Sequence, residues 1–338
     1  MPSPRTLPPI PEPSTAARPL RVLKFGGTSV GSAEPLRRVV SITAQACSDG
    51  YRPVLVVSAL SGVTDALVAG WPEAALEPGA RPPLFRDLLH RHLTLAGDVL
   101  PEAARAPYAH RAQAILAALD RFLDEHACRL PPAALRDAWL ATGERLAAPL
   151  VAALLEAHGF PARAEDAAGL LVTNDAFGEA TVLEAETTTR VRAWYRTLPA
   201  GTVPVVTGFI GATREGLVTT LGRGGSDYAA ACLAAALRAT ALERWTDIDG
   251  LYTDDPRRHP GARHLARLDM STAEALHRTR GLGMHPRVFA PLRAAGIPLL
   301  VRCTTRPDRH TRVVPDRAET GATEPRWTDE PLTPAERL

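Results

Sequence analysis

RVLKFGGTSVG, residues 21–31, runs an apolar, strand-like segment into a glycine pair and then toward a helix start. Working outward, LRVLKF (20–25) reads as a strand and AEPLRRVVSITAQA (33–46) is amphipathic at helical spacing. RPVLVVSA (52–59) is again a strand, and its unbroken apolar run predicts burial on both faces. Further strands are expected in TVPVVTGFI (202–210), ALERWTD (241–247) and IPLLVRC (297–303). Helices are expected over 83–99, 105–127, 131–158, 180–197, 225–238 and 270–279. Strands alternating with helices imply right-handed βαβ units and a largely parallel sheet covered on both sides, an α/β fold. No internal repeat is present. Ligands of such sheets bind beyond the carboxyl ends of the strands, so the loops that follow each strand carry the functional reading.

Lys24 is the only lysine among 39 basic residues; the other 38 are arginine. The chain is rich in Ala, Leu, Arg and Pro throughout, and the arginine count is not taken as a binding signal. A formal charge of +2 over 338 residues, with no basic block interleaved with aromatics, argues against nucleic acid and membrane surfaces as partners. The four cysteines (Cys47, Cys128, Cys232, Cys303) are widely spaced and contain no C-x-x-C pair. They read as small hydrophobes in a reducing compartment rather than a zinc site or disulfide framework. Residues 1–19 are Pro/Ser-rich, are expected to be a disordered leader, and lack the apolar core of a signal peptide. Residues 314–338 are expected to form an irregular tail. No stretch reads as the ~18 apolar residues of a membrane span, and a cytoplasmic protein is expected.

Four strand-end loops stand out. In KFGGTSVG the glycine amides can face phosphate oxygens, and Lys24 supplies a compact charge suited to a phosphoryl group. An ordinary tight turn beside a surface lysine fits the spacing equally well. The stretch is neither G-x-G-x-x-G nor G-x-x-x-x-G-K-[ST]. In SALSGVTDAL, Ser58 and Thr64 offer hydroxyls near a helix start, although Ser61 or Thr64 can also simply cap that helix. In TTLGRGGSDY, Arg223 can pair with a carboxylate beside helix-start amides, while Asp227 can be a plain first-turn acid. WTDIDGLYTDDPRR can cradle a base and ribose or be an acidic turn, and it lacks the glutamate of a calcium-binding EF-hand loop.

Taken in order, KFGGTSVG, SALSGVT, TGERLAAPL, TNDAFGEA, GFIGAT, TTLGRGGSDY, WTDIDGLYTDDPR and MHPR closely resemble the catalytic domain of aspartate kinases, in the amino acid kinase family. The match extends over roughly residues 20–313. The resemblance implies a three-layer αβα sandwich with a mostly parallel central sheet. It implies amino-acid binding in a lobe of about 20–210 and ATP binding in one of about 211–313. The implied reaction moves the γ-phosphoryl of MgATP to the side-chain carboxylate of aspartate. By the same resemblance Lys24 holds and neutralises the phosphates, and Asp227 orients the site. Gly26, Gly27 and Ser29 line the phosphate loop. Glu144 pairs with the substrate ammonium, and Arg223 grips its α-carboxylate with Ser226. Ser58, Thr64 and Phe209 contact the acceptor, and Thr246, Asp247, Tyr252 and Arg257 contact the nucleotide. Mg²⁺ is carried by ATP, with no direct protein ligand implied.

Three departures bear on that reading. Ala141 stands where the family has serine, and Leu282 stands where it has a second phosphate-binding lysine, with Arg280 and Arg287 as nearby substitutes. The remaining tail is too short for the ACT regulatory domains usual in aspartate kinases of primary metabolism. Feedback inhibition and ACT-mediated dimerisation are therefore not expected. Dimerisation through the catalytic domain stays open, and a specialised biosynthetic pathway is the expected setting. Leu282 leaves room for another acceptor or for a kinase-like module impaired in catalysis.

Overall fold

The computed structural model describes residues 18–76, 78–256, 258–280, 284–316 and 327–328. Arg257, Leu282, the side chain of Arg280, most of the expected leader and most of the expected tail lie outside the described residues.

The opening strand β1 (Leu20–Phe25) is buried along its whole length. A four-residue helical turn, α1 (Gly27–Val30), and helix α2 (Ala33–Ser48) return the chain to β2 (Arg52–Val57), which pairs parallel to β1 from Leu20↔Arg52 to Phe25↔Val57. Five helices follow: α3 (Val63–Leu76), α4 (Arg81–Val99), α5 (Glu102–His126), α6 (Pro132–Leu140) and α7 (Thr142–Ala157). Strand β3 (Ala162–Glu165), helix α8 (Glu184–Thr197) and strand β4 (Val203–Thr207) complete this half. A hairpin, β5 (Ile210–Ala212) and β6 (Val218–Thr220), leads into α9 (Gly225–Leu237) and β7 (Ala241–Thr246). A small arm, β8 (Leu251–Tyr252) with β9 (His264–Leu265), precedes β10 (Arg267–Asp269) and α10 (Met270–Arg280). The chain then forms α11 (Phe289–Ala295), β11 (Leu299–Cys303), β12 (His310–Val314) and β13 (Trp327–Thr328).

Among the described residues the main sheet has the order β13-β10-β12-β11-β7-β1-β2-β4-β3. Pairing is parallel from β11 through β3, while β11–β12 and β10–β13 are antiparallel. Because side chains alternate along a strand, the central strands feed two cores. Leu23, Phe25, Leu55 and Val57 pack with α2 and α4–α7 on one face. Val22, Val54, Val56 and Leu242 pack with α8, α9 and α11 on the other. The result is the expected αβα sandwich.

The helix expected over 131–158 is instead two helices joined at Ala141. Its stretch Pro132–Ala157 is apolar and long enough to cross a membrane by length and composition, contrary to the sequence expectation, but 89% of its most apolar window is buried inside the protein. It is core. The helix expected from residue 180 starts at Glu184, because Ala180 and Leu183 spend their amides on Thr220 and Val172.

Candidate active site

The carboxyl ends of β1, β2, β4 and β7 meet at one edge of the sheet. Lys24, one residue before the end of β1, lies on the same face as Val22, toward α9. Only 7% of it is exposed. Its Nζ sits 2.7 Å from Oδ1 of Asp227, in the first turn of α9. Oδ2 of Asp227 accepts a hydrogen bond from Nε of Arg244 at 3.0 Å. Burial acts to raise the Asp227 pKa, but Lys24 and Arg244 outweigh it and hold the carboxyl below its ordinary value. The carboxylate is therefore charged at neutral pH.

The glycines after β1 have a packing role beyond any approach to a ligand. A Cβ on Gly27 would lie 3.0 Å from the Ala59 carbonyl, so Gly27 lets the β1 loop settle against the β2 loop. A Cβ on Gly26 would lie 3.7 Å from Lys24 Nζ. Ser29 is buried, and its hydroxyl donates to the Trp245 carbonyl.

Glu144 enters from the first turn of α7. Gly143 makes this possible, since a Cβ there would meet Ala59 Cβ at 2.7 Å. The Ala59 amide donates to Glu144 Oε1 at 3.0 Å, while the buried Oε2 has no hydrogen-bond partner. Burial pushes the Glu144 pKa up to about 8, against the opposing effects of the Ala59 amide and the Lys24 charge. A buried acceptor without a donor costs about 1–3 kcal/mol. It is the natural seat for an incoming N–H group.

Across the cleft, Gly222 and Gly224 adopt φ values of 74° and 70°, a region that glycine enters without strain. Arg223 between them is exposed and has no ion-pair partner among the described residues. Gly208 and Gly225 admit close packing of the Phe209 loop, because a Cβ on either would collide with Ser226 or Phe209. Phe209 itself holds φ 68°.

A cleft of about 380 Å³ gathers Lys24, Gly27, Ser58, Thr64, Glu144, Phe209, Arg223, Ser226 and Asp227. Nine of the residues singled out in the sequence thus share one cavity. Gly26 and Ser29 stand behind it in the β1 turn. Thr246 ends β7 and Asp247 follows it, and the Thr246 hydroxyl donates to Asp247 Oδ1 at 2.9 Å. Tyr252 belongs to the β8–β9 arm and donates to Asp249 Oδ1 at 2.6 Å. These three do not line the cleft. Ala141 is fully buried and does not face it either. Among the described residues no group of three or more His, Cys, Asp or Glu side chains is placed to hold a metal.

Three residues position the site in ways the sequence reading does not assign to them. Asp137 on α6 accepts from the amides of Gly178 and Thr220 at 2.8 and 2.7 Å and from the Thr220 hydroxyl at 2.8 Å. It thereby fixes the strand that feeds the Arg223 loop. Arg287, a candidate to replace the charge missing at position 282, is committed to backbone carbonyls: it donates to Leu221 at 2.8 Å and to Ala180 at 2.5 Å. Its guanidinium also covers the Tyr228 ring at 4.3 Å. The third is Arg244. A signal for it existed in the sequence: Glu243 and Arg244 are adjacent charges inside an otherwise apolar strand, and buried charges require partners.

The doubly covered, mostly parallel sheet thus carries at its carboxyl edge a buried lysine, glycine turns and opposed acidic and basic groups. Residues 19–303 match the model of the amino acid kinase family. The chain belongs to that family. It is 32% identical to the lysine-sensitive aspartokinase 3 of Escherichia coli over 306 residues, covering 88% of this chain and 64% of that protein. It is 32% identical over 284 residues to an aspartokinase of Thermus thermophilus, covering 84% of this chain and 56% of that protein. A bifunctional aspartokinase/homoserine dehydrogenase of Haemophilus influenzae is 31% identical over 300 residues, of which this chain spans 35%. The chain thus spans between about a third and two thirds of the length of these relatives. The crystal structure of E. coli aspartokinase III in complex with aspartate and ADP superimposes with a TM-score of 0.76 at 29% identity, over 88% of this chain and 65% of that one.

Proposed function

We propose that this chain is an ATP-dependent kinase that phosphorylates the side-chain carboxylate of L-aspartate, or of a close analogue, to an acyl phosphate. The observation that carries the reading is the pairing, in one cleft, of a buried carboxylate oxygen on Glu144 with the exposed guanidinium of Arg223, neither of which has a partner among the described residues. The first suits an α-ammonium and the second an α-carboxylate. An amino acid held at both ends turns its side chain toward Lys24.

The donor set also fits a triphosphate. Lys24, the Gly26–Gly27 turn and the start of α9 supply cationic and amide donors for phosphates. Thr246, Asp247 and Tyr252, on and beyond β7, would contact the nucleoside. Mg²⁺ would arrive with ATP and neutralise its phosphates. The acceptor carboxylate is already a nucleophile, so the protein has to position and neutralise rather than deprotonate. Lys24 would follow the transferring group, and Asp227 would fix its ammonium. Residues about 20–210 would then serve the acceptor and about 211–313 the nucleotide, in a cytoplasmic setting.

A coupled ADP-release assay over a panel of amino acids, with hydroxylamine trapping of acyl phosphate, tests the proposal. L-aspartate should give both ADP and hydroxamate, and Lys24→Ala should abolish both. ADP release with a different acceptor would move the reading to that substrate. Absence of ADP with every acceptor, alongside measurable binding of ATP or aspartate, would overturn it in favour of a binding module.

A further inference from the structure

We propose that Arg244 is a second phosphate-binding cation of this centre, which keeps the Lys24–Asp227 pair net positive and donates to a nucleotide phosphate. The proposal rests on the kinase reading above. Arg244 is the direct cross-strand partner of Lys24 in the parallel β1–β7 ladder. The residues two before each, Val22 and Leu242, belong to the same core, so alternation sends both cations to the α9 face. There they share one carboxylate, with Lys24 Nζ 2.7 Å from Oδ1 of Asp227 and Arg244 Nε 3.0 Å from Oδ2.

Charge decides what this trio can do. A lone Lys24–Asp227 pair is neutral overall and offers a phosphate only a dipole. Two cations around one anion leave a net positive charge, and Asp227 remains ionised because both cations hold its proton off. The second observation concerns Nη1 of Arg244, which is buried and has no hydrogen-bond partner among the described residues. Buried donors are nearly always satisfied in folded proteins. A phosphate oxygen would satisfy this one with a charge-assisted bond. Arg244 stands on the β7 side of the pair, toward Thr246, rather than among the residues that line the acceptor cleft. Arg287 is occupied by the Leu221 and Ala180 carbonyls and cannot serve in its place.

The test uses the full chain and the variants Arg244→Met and Arg244→Lys. MgADP affinity is measured by calorimetry, alongside kcat/KM for ATP, KM for the acceptor and the melting temperature. Arg244→Met should lower MgADP affinity and kcat/KM for ATP by roughly tenfold to a hundredfold, the range for losing a charge-assisted contact. Acceptor KM should stay within about twofold, because Glu144 and Arg223 are untouched. Arg244→Lys should recover a substantial part of the loss. A folded Arg244→Met protein with unchanged MgADP affinity beside an active wild type would overturn this proposal and leave the kinase reading intact. So would equal losses in acceptor and nucleotide affinity without rescue by lysine, which would mark Arg244 as a strut between β7 and α9. Wild-type protein that neither binds MgADP nor releases ADP would instead sink the kinase reading, and this proposal with it.

Discussion

Glu144 holds a proton near neutrality in the ligand-free protein, because burial pushes its pKa to about 8 from an ordinary value of 4.5. An ammonium group docked against Oε2 stabilises the carboxylate instead, so binding of the acceptor expels that proton. Acceptor affinity should therefore rise with pH, by up to about tenfold per unit between pH 6 and 7.5, and level off above about 8. Glu144→Gln should bind the acceptor weakly at every pH and lack this slope. The effect on folding runs the other way. Below about 4.5 both states carry the proton and Glu144 contributes nothing. As pH rises toward about 8 the unfolded chain ionises first, and stability is lost. Ligand-free melting temperatures should show Glu144→Gln gaining on the wild type across that interval. Parallel melting curves, or an acceptor KM flat from pH 6 to 8, would contradict this assignment.

At the scale of elements, the site depends on how tightly the start of α7 presses on the loop after β2. Gly143 sets that approach, since a Cβ there would lie 2.7 Å from Ala59 Cβ and 3.3 Å from a Val63 methyl. Gly143→Ala should separate the two by a few tenths of an ångström and stretch the Ala59–Glu144 hydrogen bond. Overpacking of this kind costs about 1–3 kcal/mol. The expected signature is a lower melting temperature together with at least a tenfold higher acceptor KM, and an unchanged KM would count against the packing argument. Elements differ in how far the sequence discloses them. The strands β1, β2, β4, β7 and β11 are legible because strands buried on both faces are nearly unbroken apolar runs. Edge strand β3 reads ARAE and escapes notice because it is short and has no apolar run, with a charge at every second residue. The short strands β8, β9 and β10 are set by pairing partners rather than by any local period. Most cleft residues were legible in strand-end loops, whereas Glu144, in the first turn of α7, was singled out only by the family resemblance. Asp137 was not, because its partners lie 41 and 83 residues away and its own surroundings look like an ordinary helix.

Across the whole molecule, the strands before residue 210 lie on one side of β1 and those after residue 240 on the other, yet the sheet is continuous. The two hydrophobic cores are opposite faces of the same central strands. Neither can lose its packing without exposing β1 and β2, which argues against independently unfolding lobes. Denaturant unfolding followed by tryptophan fluorescence and by far-UV circular dichroism should give coincident transitions. Separated midpoints would show that the proposed acceptor and nucleotide lobes fold as distinct units.

Phe209 lends the fold a different kind of significance. An aromatic residue at φ 68° occupies backbone space that glycine or asparagine would fill at less cost. Its carbonyl nevertheless accepts from the Leu221 amide at 2.8 Å, and its ring sits against Gly225 at the mouth of α9. The position is thus a place where stability and site shape pull apart. An engineer who relaxed the backbone here to gain thermal tolerance would remove the ring that walls the cleft. The strain marks the boundary between what this scaffold can yield to thermostabilisation and what it must keep.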